Sequence, residues 1–197
     1  MILIEKLHRL DQDITLLLNS LHCPASDSFM VFMSDKEVWF PLYLMTAIAL
    51  FSRLGWKKAL VAFFSIILTI TACDQFSNLI KDSVCRLRPC YSTYMLEGGL
   101  RMLESRWDYF GFFSAHAANS FGFAVCSSTL FKLEKKRNYG FYTTATMIWA
   151  FFVSISRIFV GKHYFGDVVV GIIIGIIFAS ALAWAGKLII KKARLGS

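Results

Sequence analysis

The chain has 197 residues, of which 56% are hydrophobic, 16% aromatic and only 17% charged, with a net charge of +8 at neutral pH. Soluble domains carry about 25% charged residues, so the composition excludes an ordinary soluble enzyme and predicts one membrane-embedded domain over residues 1–197. Its Lys and Arg residues are dispersed among apolar stretches without a basic, aromatic-interleaved face, which excludes nucleic acid as the partner and favours lipid headgroups and phosphate.

In chain order, Leu3, Leu7, Leu10, Ile14, Leu17 and Leu18 alternate with Glu5, Lys6, Arg9, Asp11, Gln12 and Asp13 at helical spacing. That pattern predicts an interfacial amphipathic helix within an N-terminal region of residues 1–35. Acids interrupt its apolar positions and no small-residue cleavage site follows, so it does not read as a signal peptide. Five apolar segments come next, at residues 38–54, 57–80, 114–131, 139–159 and 167–190. Each approaches the roughly 20 residues that a bilayer requires, which predicts an all-α membrane bundle of about five spans.

Basic residues set the orientation. Arg53, Lys57 and Lys58, then Lys132, Lys135, Lys136 and Arg137, then Lys191, Lys192 and Arg194 fall at alternate ends of the spans and read as cytoplasmic. The N-terminal helix, the long loop at residues 82–113 and the turn at 161–166 then share the extracytoplasmic face.

Three constellations of chemistry-bearing residues lie at that face. Lys81 and Arg88, the latter followed by Pro89, are seven residues apart, which places both on one helical face if the helix continues. Arg88 offers a planar donor fork and Lys81 a compact charge, so the two can clamp one phosphate. Asp74 and Asn78 extend a polar stripe upstream, where Asp74 either pairs with a site cation or stabilises helix packing. Phe113, Ser114, Ala115 and His116 open the third span, where helix N-terminal amides can approach an anion. Ser156, Arg157, His163 and Asp167 form the third group between two apolar segments, where charge is costly and usually functional.

Together these residues resemble the type 2 phosphatidic acid phosphatase family, whose signature is Lys-x6-Arg-Pro, Pro-Ser-Gly-His and Ser-Arg-x5-His-x3-Asp. The first and third parts are complete at Lys81–Pro89 and Ser156–Asp167, while Phe113 and Ala115 replace Pro and Gly in the second. The resemblance implies a metal-independent lipid phosphatase of the bacterial inner membrane with its site on the periplasmic face. His163 would attack phosphorus and become phosphorylated, Asp167 would hold its tautomer on the same helical face, and His116 would serve as acid and then base. Lys81, Arg88, Arg157, Ser114 and the amide of Ala115 would neutralise the phosphate oxygens. No cofactor is implied, and the chain has only four histidines and no carboxylate cluster suited to magnesium.

The compact form resembles the lipid A and undecaprenyl diphosphate phosphatases of that family, with phosphatidylglycerophosphate a further candidate; the basic, aromatic outer loop favours lipid A. A non-enzymatic lipid-binding or transport protein is the alternative of another class, and it would need the cations but not the nucleophile and acid pair. Further expectations are local. Trp107, Tyr109, Phe110, Phe112 and Phe113 should sit at headgroup level, and Arg101 and Arg106 could touch a second phosphate or sugar. His8 and His22 read as interfacial. Cys85 and Cys90 are either packed thiols or a disulfide, and Gly171 and Gly175 permit close helix contact within the chain.

Overall fold

The computed structural model describes residues 2–105 and 108–193. Arg106, Trp107 and Arg194, which the sequence singled out, lie outside the described residues. The order is α1 (Ile2–Asn19), α2 (Pro24–Ser34), α3 (Phe40–Leu54), α4 (Trp56–Val84), α5 (Thr93–Glu97), α6 (Ala115–Phe131), α7 (Gly140–Phe159) and α8 (Phe165–Lys192). Among the described residues the only sheet-like pairing is a bridge between Leu87 and Phe110.

The middle of the bundle is built around α6, whose composition explains its place. Its small residues, Ala117, Ala118, Ser120, Gly122 and Ala124, are buried, and they admit close neighbours on several sides. α8 makes the tightest approach: a Cβ added to Gly171 would lie 2.5 Å from the Ser114 carbonyl oxygen, and one added to Gly175 would lie 2.3 Å from that of Ala118. The small-residue stripe of the last span is therefore consumed inside the chain. α4 and α7 complete the wall around α6, and α3 lies outside against α4. Trp39, Tyr43, Phe123 and Trp149 meet edge to face with centroids 4.9 to 6.1 Å apart, a geometry that aromatic quadrupoles favour.

Large apolar side chains such as Leu68, Phe141, Phe151, Ile177 and Trp184 point outward. In a soluble protein that surface would aggregate; here it is what a bilayer covers. Among the described residues three helices are long and apolar enough, by length and composition, to cross a membrane: Glu37–Leu54, Trp56–Val84 and Phe165–Lys192. α6 has 17 residues and α7 carries a polar stripe, because both turn polar groups toward protein: Tyr142 donates to Ser127 Oγ at 2.9 Å, and the hydroxyls of Ser120 and Ser154 meet at 3.5 Å.

The N-terminal helix is amphipathic, but its polar side is the one that meets protein. Gln12, Thr15 and Asn19 are buried, while Leu3, Leu7, Leu10 and Leu17 are exposed. Asn19 Nδ2 donates to the carbonyls of Ile158 at 2.9 Å and Phe159 at 3.1 Å, and its Oδ1 accepts the Arg101 N–H at 2.8 Å. One side chain thereby joins α1, the end of α7 and the long loop.

Candidate active site

Lys81 and Arg88 do not share a helical face. α4 ends at Val84, and Cys85 adopts a left-handed conformation with φ 51°, turning the chain back. Arg88 N–H then donates to the Tyr109 carbonyl and Gly111 N–H to the Arg86 carbonyl, both at 2.9 Å. The returning strand-like segment carries the Arg88 side chain under the end of α4, so the two cations meet through a chain reversal.

The third motif also assembles through a turn. α7 closes with Gly161 at φ 77°, where Lys162 N–H reaches the Arg157 carbonyl at 3.0 Å and Gly161 N–H that of Ile158 at 3.0 Å. This is the Schellman arrangement of a helix end, and glycine is required because a Cβ there would sit 2.8 Å from the Arg101 carbonyl oxygen. His163 lies in this turn and Asp167 in the first turn of α8, so they do not occupy one helical face. Asp167 instead folds back: Oδ2 accepts the Tyr164 N–H at 3.1 Å and lies 3.4 Å from His163 Nδ1.

These turns bring Lys81, Arg88, Ala115, His116, Arg157 and His163 onto the wall of one cavity of about 360 Å³. Asp74 and Asn78 line it too, together with four charged residues that sequence reasoning missed: Lys36, Glu104, Asp108 and Lys162. Five cations face three carboxylates, so the cavity is net positive. Lys162 had left a signal, since it is the one charged residue in the five-residue run between Arg157 and His163. Glu104 and Asp108 are acids in a loop of unremarkable pattern and left none.

The protonation of His163 follows from its partners. Arg88 Nη1 lies 3.0 Å from Nε2, and a guanidinium can only donate, so Nε2 is the acceptor and the proton resides on Nδ1, toward Asp167. Burial first, then the charges of Arg88, Arg157 and Lys81, hold the imidazole well below its usual pKa of 6.5. The ring is thus neutral, with its lone pair on the cavity side. Among the described residues, Arg88 Nε, Arg157 Nε and His163 Nδ1 are buried without a hydrogen-bond partner.

The remaining guanidinium bonds fix the two arginines. Arg157 directs Nη1 and Nη2 to Glu104 at 3.1 and 3.2 Å, and Nη1 also bonds Ser34 Oγ. Arg88 Nη2 pairs with Asp108 Oδ2 at 3.1 Å and Nη1 bonds the Lys162 carbonyl at 3.2 Å. Each arginine is held from behind while its Nε–H stays available.

Several expectations need correction. Ser114 does not line the cavity: it is fully buried as the N-cap of α6, where its hydroxyl accepts the Ala117 N–H at 3.4 Å and its N–H bonds the Asp167 carbonyl at 3.0 Å. Phe113 is not at headgroup level but packed against Phe76 in the core. Arg101 is taken by Asp27 and by His22 Nδ1 and does not face the cavity. Of the two readings of Cys85 and Cys90, the unpaired one holds: all five cysteines are free, with Cys85 exposed and Cys90 buried. Arg86, unremarked in the sequence between Lys81 and Arg88, bridges Asp11 and Asp167 at 2.6 Å each.

Among the described residues no group of three or more His, Cys, Asp or Glu side chains is arranged for a metal ion. The sequence model of the PAP2 superfamily matches residues 58–190, which include all three constellations. The chain belongs to the PAP2 superfamily. It is similar to the lipid A 4'-phosphatase of Bacteroides thetaiotaomicron, 37% identical over 175 residues that cover 88% of this chain and 75% of the relative. The lipid A 4'-phosphatase of Porphyromonas gingivalis is 27% identical over 174 residues, 88% of this chain and 71% of the relative.

The fold of this PAP2 member is similar to that of a transmembrane PAP2-type phosphatidylglycerolphosphate phosphatase from Bacillus subtilis, with a TM-score of 0.74 at 16% identity, covering 93% of this chain and 88% of the other. It is also similar to Aquifex aeolicus LpxE, with a TM-score of 0.62 at 21% identity, covering 86% and 92%.

Proposed function

We propose that this PAP2 phosphatase removes a phosphate monoester from lipid A, at the position that its lipid A 4'-phosphatase relatives are named for, on the periplasmic face of a bacterial inner membrane. The observation that carries the reaction is a neutral, buried imidazole opposed to two buried guanidiniums whose Nε–H donors have no protein partner. Such a site offers fixed donors to the phosphate oxygens and, when Arg88 Nη1 exchanges its bond to Nε2 for one to phosphate, a lone pair to phosphorus.

In the first step the lone pair of His163 Nε2 forms the N–P bond as the bond from phosphorus to the lipid oxygen breaks. His116 gives that oxygen a proton, so the lipid leaves as an alcohol. Asp167 faces the Nδ1–H and stabilises the positive charge that the ring acquires. In the second step His116 takes a proton from water as the water oxygen attacks phosphorus, and phosphate leaves with His163 regenerated. Lys81, Arg88 and Arg157 hold the equatorial oxygens, where charge stabilisation is the dominant contribution. A protein that only bound lipid would need these cations but not the imidazole pair.

Room for the rest of the substrate adjoins His116. A second cavity, of about 390 Å³, shares Lys36, Asp74 and His116 with the first and continues between Trp39, Tyr43, Ile70 and Val153. Its wall is mainly apolar, yet among the described residues Asn119 Oδ1 and Trp149 Nε1 are buried in it without partners. A glycolipid, apolar below and polar at the sugar, suits that lining.

The test is phosphate release by the purified protein in mixed micelles containing lipid A, undecaprenyl diphosphate or phosphatidylglycerophosphate, with and without a chelator. Release should be fastest from lipid A and indifferent to the chelator. Faster release from either other lipid would overturn the substrate, loss on chelation would overturn the metal-free step, and no release from any would overturn the enzyme.

A further inference from the structure

We propose that Asp11 and Arg86 are positioning residues through which the membrane-surface helix α1 sets the His163–Asp167 pair; the inference rests on the nucleophilic role given to His163 above. Four long-range bonds converge at this junction. Asp11 divides its carboxylate: Oδ1 accepts the Gly166 N–H at 2.7 Å, and Oδ2 pairs with Arg86 Nη2 at 2.6 Å. Thr15 Oγ1, one turn along α1, accepts the Phe165 N–H at 2.9 Å. Two of the first N–H groups of α8, which a helix cannot satisfy internally, are therefore capped by side chains about 150 positions earlier in the chain. Gly166 is what lets Asp11 come so near, since a Cβ there would lie 2.9 Å from Oδ2.

Arg86 carries the connection inward. Its Nη1 holds Asp167 Oδ1 at 2.6 Å, and its guanidinium carbon lies 4.1 Å from the centroid of the Tyr164 ring. With Oδ1 engaged, Oδ2 is the oxygen left to face His163 Nδ1. Asp167 has no exposure, and a buried carboxylate without a cation is strongly unfavourable. Asp11 in turn fixes the guanidinium, which His8 Nδ1 also approaches, accepting from Nη2 at 3.2 Å. Near-attack geometry tolerates little error, and a displacement of about 1 Å costs on the order of 100-fold in rate.

The far side of α1 supplies the membrane link. Leu3, Leu7, Leu10 and Leu17 are each more than half exposed along the face opposite the buried Gln12, Thr15 and Asn19. An apolar stripe on a helix that docks through its polar residues has the leaflet as its neighbour. Docking does not depend on the charged chain alone, because Asn19 bonds α7 and the long loop, and Tyr94 donates to Asp13 at 2.5 Å.

The experiment compares steady-state kinetics of full-length Arg86→Gln, Arg86→Lys, Asp11→Asn, Asp13→Asn and His163→Gln in micelles, using lipid A. Arg86→Gln should lower kcat about 10- to 100-fold with KM within about twofold. Arg86→Lys should recover part of that loss, Asp11→Asn should fall between them, and Asp13→Asn should match the parent. Parental kcat in both Arg86→Gln and Asp11→Asn would overturn the inference, as would equal loss in Asp13→Asn, which would make undocking of α1 the cause. Should Arg86→Gln fail to fold, Asp11→Asn carries the test, since it keeps the shape and the acceptor for Gly166. Turnover by His163→Gln would instead overturn the nucleophile assignment; an inactive His163→Gln beside fully active Arg86 and Asp11 variants would overturn the positioning role alone.

Discussion

The two ends of the bundle are both basic, and they differ in what surrounds the charge. At the motif end Arg88, Arg157 and Lys162 are buried, the first two fixed by the partners named above and Lys162 by its Nζ donating to the Ser105 carbonyl. At the other end Arg53, Lys135, Lys136 and Arg137 stand exposed around an open hollow of about 440 Å³. The second set is exposed and therefore screened, so each charge there interacts weakly. The first set is held away from water, where the same charge acts strongly on whatever anion approaches. Counting Lys and Arg does not separate the two; burial and fixed geometry do.

The comparison can be broken first at Arg157. Arg157→Lys keeps the charge but removes the Nε–H and the fork toward Glu104, and should lower kcat about 10²- to 10³-fold in micelle assays. Parental turnover would mean that charge alone suffices. The pH profile comes next. Because burial and neighbouring cations depress the His163 pKa below 6.5, its imidazole stays unprotonated at pH 6.5, and the acid limb of kcat/KM, a fall of about tenfold per unit, should be centred below that pH. A fall already centred at or above 6.5 would contradict the neutral ring.

Two smaller effects sharpen the contrast. Gly175→Val drives side-chain atoms into the Ala118 carbonyl, and should cost about 1 to 3 kcal/mol by overpacking, read as a lower unfolding temperature with kcat per folded molecule kept. Arg53→Gln combined with Lys136→Gln, at the exposed end, should change turnover less than about twofold. A larger loss would show that the screened charges also reach the chemistry.

Most of the lining of the candidate cavity was legible, because the three motifs place particular residue types at spacings that survive in the chain. Lys81, Arg88, His116, Arg157 and His163 all reach one cavity. The routes by which they meet were not legible. Seven- and four-residue spacings suggested continuous helix, whereas Cys85 and Gly161 reverse the backbone in left-handed conformations. Ser114 carried the hydroxyl expected of its motif, yet the need to cap α6 claimed it. For α1 the amphipathic pattern was plain, but periodicity does not say whether a polar face meets water or other polar groups. Asp11, Arg86 and Glu104 bond partners 53 to 81 positions away in sequence, a distance at which no local pattern reports a partner.

The central claim is a covalent bond between phosphorus and His163. It is met most directly by alkaline quenching of the protein turning over lipid A labelled with radioactive phosphate, followed by mapping of the labelled peptide. The account predicts phosphate on His163 and none in His163→Gln. Turnover with no labelled peptide, or label on another residue, would contradict it.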